Sequence, residues 1–300
     1  MPSNYLRSQY IIGRQGNCEV ASEPFQKGYA AFNAAQPEPE SMDVIGPGAC
    51  VSSPKRPSNC TELDLLSLDQ ERSNELIDPP TFWEIVADTT WGAYTSEVAR
   101  QAILRGHQSL PRQTVALELG CEGGRWSKLL MTLGWNVICV DTDEEVLKLC
   151  QKRIPTASCI LANASDEKIP CDDRSIDLLL CMEVAPVIQS EWFLEEGARV
   201  LRQGGLMVGV FYNRWSLRGL FVRATGNREY YRHAYPVWKQ KLSKQGFQLS
   251  YEQGYCWFPF DRFSNSRCVP LFARLEKRLG LSTLTSLSPW IAFVARKTAG

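Results

Sequence analysis

The residues that could do chemistry cluster around one turn, Gly120-Cys121-Glu122-Gly123-Gly124. The apolar run Val115-Ala116-Leu117-Glu118-Leu119 precedes it, and Trp126, Leu129, Leu130 and Leu133 follow at helical spacing. The run is short, holds a β-branched residue and lies between Pro111 and glycine, so it reads as a buried strand. Gly134 stands where a helix C-terminal cap belongs. A glycine-rich strand-to-helix turn lets a ligand approach the backbone and aims free helical N–H groups at it, although ordinary connections also use glycine. Asn136-Val137-Ile138-Cys139-Val140 reads as a second strand ending in Asp141. An acid there, about 20 residues past the turn, is placed for a ribose hydroxyl pair. Asp141 also suits a helix start, since Asp143, Glu144 and Glu145 follow. No G-x-G-x-x-G dinucleotide fingerprint can be read from the turn.

Composition narrows the classes. The 300 residues carry 33 basic and 33 acidic side chains, a balance that argues against general nucleic-acid binding. No apolar run reaches membrane-spanning length, and Met1-Pro2-Ser3-Asn4-Tyr5-Leu6-Arg7 lacks the apolar region of a signal peptide. Eleven cysteines, an odd number without any C-x-x-C, point to reduced thiols in a cytoplasmic protein rather than a disulfide framework or zinc site. With His107 and His233 as the only histidines, chemistry needing several is excluded.

The elements that must position these residues alternate. Residues 1–78 are broken by Pro37-Glu38-Pro39-Glu40, Gly46-Pro47-Gly48 and Pro54-Lys55-Arg56-Pro57, and read as a disordered or loosely ordered extension. The domain then spans 79–300. Thr81 to Arg105 is helical with a break at Trp91-Gly92, the second part capped by Thr95 or Ser96. Helix from Glu144 to Arg153, strand Ser158 to Ala162, strand Ile176 to Cys181, helix Glu191 to Leu201 capped by Ser190, and strand Leu206 to Phe211 follow. Such alternation predicts a doubly wound α/β sheet, mostly parallel. Residues 213–246 contain no strand and carry eight Lys or Arg against the single acid Glu229. Strands at Phe247–Tyr251 and Trp290–Arg296, with a helix around Leu271 to Leu279 between them, would close the sheet.

In this order the motifs LELGCEGG, Val140-Asp141, Asn163-Ala164, IDLLLCMEV and Val200-Leu201-Arg202-Gln203-Gly204-Gly205 resemble a class I S-adenosylmethionine-dependent methyltransferase over residues 81–300, with the small-molecule or quinone-type branch nearest in pattern. The resemblance implies a Rossmann-like seven-stranded sheet of order 3-2-1-4-5-7-6 with strand 7 antiparallel, and S-adenosyl-L-methionine as cofactor. It places Gly120, Cys121 and Gly124 beneath the methionine part, Glu118 near its amino group and Asp141 on the ribose. Asn163 and Ala164 fall at the adenine, and Met182 and Glu183 at the pocket floor. Glu122 departs from the family loop E-x-G-x-G-x-G by standing where a glycine is expected. Asn163 replaces the usual Asp and removes a charge.

Methyl transfer from a sulfonium is an in-line displacement served by alignment, so a general base is needed only for an acceptor that must lose a proton. Glu183 and His233 are the candidates, with a cofactor contact and a surface residue as their ordinary alternatives. The segment 213–246, where Tyr230, Tyr231, Tyr235 and Trp238 lie among the charges, would cover the acceptor, with Arg228 and Arg232 as candidate contacts. That mixture suits an anionic small molecule or lipid-linked acceptor, with peripheral membrane contact and no protein partner; an ordinary charged face is the alternative. Two other classes remain open. One is a non-catalytic cofactor-binding or scaffold protein in which Glu122 spoils the site. The other is a nicotinamide-dependent oxidoreductase, against which the missing fingerprint and LRQGG argue.

Overall fold

The structure, a computed structural model, describes residues 78–110, 114–224 and 229–298. The predicted extension, apart from residue 78, and Arg228 lie outside the described residues.

Seven strands form one sheet: β1 (Val115–Leu119), β2 (Asn136–Asp141), β3 (Ser158–Leu161), β4 (Ile176–Cys181), β5 (Leu201–Tyr212), β6 (Phe247–Tyr255) and β7 (Trp290–Lys297). Their order is 3-2-1-4-5-7-6, with β7 antiparallel to both neighbours, as the resemblance implied. Among the described residues, nine α-helices accompany them: α1 (Phe82–Ala87), α2 (Thr90–Gln108), α3 (Arg125–Thr132), α4 (Glu144–Arg153), α5 (Ala185–Ile188), α6 (Trp192–Val200), α7 (Leu217–Ala224), α8 (Tyr235–Lys244) and α9 (Cys268–Arg278). The central strands are buried on both faces, and one apolar cluster fills each side of the sheet. That burial is why the strands read as continuous apolar runs rather than alternating ones.

Several boundaries differ from the sequence reading. α2 begins at Thr90, capped by Thr89, whose hydroxyl accepts the Gly92 N–H at 2.9 Å. Neither Thr95 nor Ser96 caps it. Gly92 is needed for close packing, since a Cβ there would lie 1.7 Å from the Val86 carbonyl oxygen. Ser190 does not cap α6 either: its hydroxyl turns back to Val187 O at 2.7 Å, closing the unforeseen short helix α5. β5 starts at Leu201, five residues earlier than Leu206, and takes up Gly204 (φ 77°) through a register shift against β4. No helix among the described residues is long and apolar enough to cross a membrane.

Candidate active site

Between β1 and β4 the strand order reverses direction, and a doubly wound sheet opens its ligand crevice at that point, beyond the carboxyl ends of the strands. The loop after β1 sits there. Gly120 (φ 75°) and Gly124 (φ 83°) take left-handed conformations that favour glycine. Val140 O fastens the loop to β2 by accepting from Gly120 N (2.8 Å) and Cys121 N (3.1 Å). A Cβ on Gly120 would come 2.5 Å from Val184, so this loop touches the one following β4.

Glu122 also has positive φ (49°), which costs a side-chain-bearing residue about 1 kcal/mol or more. Its carboxylate is buried and engaged by the start of α1: Thr81 Oγ1 donates to Oε2 at 2.7 Å and Trp83 N donates to Oε1 at 3.3 Å. The residue that breaks the glycine pattern therefore anchors the preceding helix. Arg153 strengthens the same joint by pairing with Glu84 at 2.8 Å and reaching Gly123 O at 3.4 Å.

Asp141 stands at the mouth of this loop. Its Oδ2 accepts Glu122 N (2.9 Å), and its Oδ1 accepts Thr142 N (2.7 Å) and Asp143 N (3.1 Å). Burial raises its pKa, only partly opposed by those three N–H bonds. A carboxylate offers about four lone-pair directions, so Asp141 has capacity for one more strong donor without giving up a backbone bond. Glu118 is buried and accepts from the Ser127 hydroxyl, and its pKa is pushed well up by burial. Asn163 is exposed, and its Oδ1 already takes Ser165 N (3.2 Å) and Ser165 Oγ (2.9 Å), while Ala164 begins that short turn.

Met182 and Glu183 follow β4 and are both buried. Burial raises the Glu183 pKa, against the opposing charges of Arg125 and Arg262. Arg125 bridges Glu183 Oε2 (3.1 Å) and Ser96 Oγ (2.7 Å), and its guanidinium lies 4.2 Å from the centre of the Trp126 ring. His233 is not brought here. Its ring borders a groove with Glu191 and Lys241 that contains none of the residues of the loop after β1, and burial lowers its pKa. Arg232 is exposed.

Sequence reasoning missed an aromatic cluster built around Trp290. Tyr212 stacks on that ring at 4.4 Å, Trp91 and Tyr255 meet it edge-on at 5.3 and 5.8 Å, and Arg218 lies 5.9 Å from its centre. Its indole N–H donates to Tyr231 Oη at 3.0 Å. Burial pushes the Tyr212 and Tyr255 hydroxyls well up, and the Glu183 charge adds to both. The buried Trp91 Nε1, Trp126 Nε1, Tyr212 Oη, Tyr255 Oη and Arg218 Nη1 have no hydrogen-bond partner. The rings come from five separate elements of the chain, so no local pattern showed that they meet.

Comparison with known proteins agrees with this architecture. Residues 117–209 match the family model described as a methyltransferase domain. Over 132 residues the chain is 30% identical to an uncharacterized methyltransferase of Mycobacterium tuberculosis, covering 41% of this chain and 53% of the relative. An uncharacterized methyltransferase-like protein of Schizosaccharomyces pombe is 26% identical over 194 residues, covering 63% of this chain and 74% of the other. The chain thus spans about half the length of the first of these relatives. A provisionally named methyltransferase of Bacillus halodurans shares the fold with a TM-score of 0.50 at 16% identity, over 68% of this chain and 100% of that one. Residues 117–209 thus match a methyltransferase domain, and the sheet order and the position of the loop are those implied by the resemblance to class I S-adenosylmethionine-dependent methyltransferases. The matches do not set the branch.

Proposed function

We propose that the protein transfers a methyl group from S-adenosylmethionine to an amphiphilic, hydrogen-bond-accepting molecule, anionic and either small or lipid-linked. The observation that carries the acceptor class is the set of unpartnered atoms about Trp290 and Trp126, every one of which can donate a hydrogen bond. A buried polar group without a partner costs about 1–3 kcal/mol, so several together favour a ligand that supplies oxygens. Arg218 supplies the positive charge that an anionic group would meet.

The residues present fit the cofactor. The loop of Gly120, Cys121 and Gly124 leaves the backbone open to the methionine part, with Glu118 behind it and Asp141 holding a ribose hydroxyl. Asn163 and Ala164 would border the adenine, and Met182 and Glu183 the floor. The cofactor supplies an electrophilic methyl group. The chain's own work is to align the acceptor with it and to keep water out. Glu183 is the base candidate near the aromatic cluster, its raised pKa suiting proton acceptance once Arg125 shifts. For an acceptor that attacks without early proton loss, Glu183 only positions Arg125.

A membrane-borne source for the acceptor is supported by α7 and the residues before it. There Trp215, Leu217, Leu220 and Phe221 are exposed, Leu217 by 85%, beside the exposed Arg214. The alternative of a degenerate scaffold loses its motive, because the Glu122 carboxylate is engaged by Thr81 and Trp83.

The test has two parts. Calorimetry should give saturable binding of S-adenosylhomocysteine. Methyl-labelled S-adenosylmethionine should then label the organic-solvent extract of anionic membranes in preference to water-soluble acids. Failure to bind the homocysteine product would remove the enzyme reading. Label confined to water-soluble acids would remove the lipid-linked acceptor alone.

A further inference from the structure

Three cysteines meet behind the cofactor loop. Cys121 belongs to the loop, Cys139 to the middle of β2 and Cys150 to α4, and their sulfurs all lie within 4.8 Å of one another. Their exposures are 2%, 0% and 0%. The convergence comes from three separate elements, so it does not follow from any spacing along the chain, which is why the sequence reading found no metal signature. The loop closes directly onto these sulfurs: a Cβ on Gly124 would lie 2.8 Å from Cys150 Sγ.

The surroundings carry polar support. Cys139 Sγ lies 3.1 Å from Ser127 Oγ, and Ser127 in turn bonds Glu118. Cys159, the register partner of Cys139 on β3, is only partly buried. A core that needed only small apolar volume at this point would be served equally by Ala or Val.

We infer that Cys121, Cys139 and Cys150 form a trithiolate site for one thiophilic d10 metal ion of the zinc class, which ties the cofactor loop to β2 and α4. Metal–sulfur bonds of about 2.3 Å place three sulfurs roughly 4 Å apart, so a contraction of less than about 1 Å closes the site. Soft thiolates select zinc-like or cuprous ions over magnesium and calcium. Binding of a divalent ion by three thiols forms three metal–sulfur bonds and releases up to three protons to solvent, with no change of oxidation state. Metal binding does not rest on the cofactor reading; only its effect on cofactor affinity does.

The experiment uses the full chain with Cys18, Cys50, Cys60 and Cys268 replaced by serine, reduced and kept free of oxygen. Titration with cadmium chloride should give a thiolate-to-metal absorption band that saturates at one equivalent, with proton release. The added metal should also raise the melting temperature by mass action. Cys139→Ser should weaken cadmium binding by about 100-fold or more, whereas Cys171→Ser should leave it unchanged. X-ray absorption on the protein with all three cluster cysteines intact should show three sulfur neighbours, which keeps the test valid if a serine variant fails to fold. A first shell with fewer than three sulfurs, or a band that survives Cys139→Ser, would overturn the site. If cadmium binds but S-adenosylhomocysteine affinity is the same with and without it, the tie to the cofactor loop is lost and the metal site stands.

Discussion

The loop after β1 holds its geometry within the consecutive residues Gly120 to Gly124. The aromatic cluster around Trp290 instead draws Trp91 from α2, Tyr212 and Tyr255 from the ends of β5 and β6, and Tyr231 from a short turn. The first is fixed by backbone: left-handed glycines and N–H bonds to Val140 O and Asp141. The second is fixed by side-chain volume. A site made of backbone tolerates side-chain change, as Glu122 demonstrates by turning its carboxylate away to α1. A site made of packed rings does not, because each ring is held by the others.

That contrast sets the largest expected effect. Trp290 is 1% exposed and touches every member of the cluster, so Trp290→Ala should cost about 3–5 kcal/mol of stability. Urea unfolding followed by far-ultraviolet dichroism measures it. A loss below about 1 kcal/mol would show that the cluster is loosely packed and would erase the difference between the two regions.

Asp141 probes the cofactor side. Asp141→Asn keeps the size and removes the charge, and a hydrogen bond to a charged group contributes about 1.5–3 kcal/mol, so S-adenosylhomocysteine should bind roughly 10- to 100-fold more weakly. Burial raises the Asp141 pKa, which means that ionisation disfavours the unliganded fold as pH rises through it, while a ribose donor favours the ionised form. Affinity should therefore be full above the raised pKa and fall as pH drops through it, at a pH above the ordinary aspartate value. Calorimetry across pH tests this, and the Asn variant should flatten the profile. An unchanged profile in Asp141→Asn would assign the ribose contact elsewhere.

Glu122 separates loop from anchor. Glu122→Gly relieves the positive φ but leaves the Thr81 hydroxyl and Trp83 N–H without their acceptor, so stability should fall by about 1–2 kcal/mol while cofactor affinity changes only a few-fold. Thermal unfolding and calorimetry on the same sample check both halves. A gain of cofactor binding in the glycine variant, from none in the unsubstituted protein, would revive the scaffold reading.

The sequence carried most of the backbone-built region and little of the other, for a physical reason. The strands, the loop and Asp141 follow from local patterns, namely apolar runs, glycines at turns and an acid at a strand end, while the strand order was implied by the family resemblance. Gly92 and Ser190 misled because their roles depend on neighbours, a close approach to Val86 and a hydrogen bond back to Val187. The Glu122 anchor could not be read because its partners lie about 40 residues upstream, and Arg125 reaches Glu183 across an even longer interval. Buried rings gathered from five elements leave no periodic trace. Trp290 looked like an ordinary strand residue, Tyr212 and Tyr255 fell outside the expected strands, and the charges of 213–246 drew attention to Arg228 and Arg232 instead.

The smallest expected effect concerns those charges. Within the segment, Lys239 pairs with Glu252 at 3.0 Å and Lys241 with Glu191 at 2.6 Å, and Arg232 is exposed beside the same Glu191. Exposed pairs contribute about 0–1 kcal/mol and are screened by salt, so much of this positive charge serves the surface. Arg218 differs, because its guanidinium lies over Trp290 and one of its nitrogens is buried without a partner. Arg218→Gln should therefore raise the acceptor's KM about tenfold while leaving S-adenosylhomocysteine affinity unchanged, as expected for one lost charged hydrogen bond. Arg232→Glu should move KM by no more than about twofold, the usual range for an exposed substitution. Steady-state kinetics of both variants at low and high salt makes the comparison direct. Equal effects that both fade with salt would mean that the acceptor is gathered by surface charge over the whole segment, and the distinction between the ring-built site and its basic cover would fail.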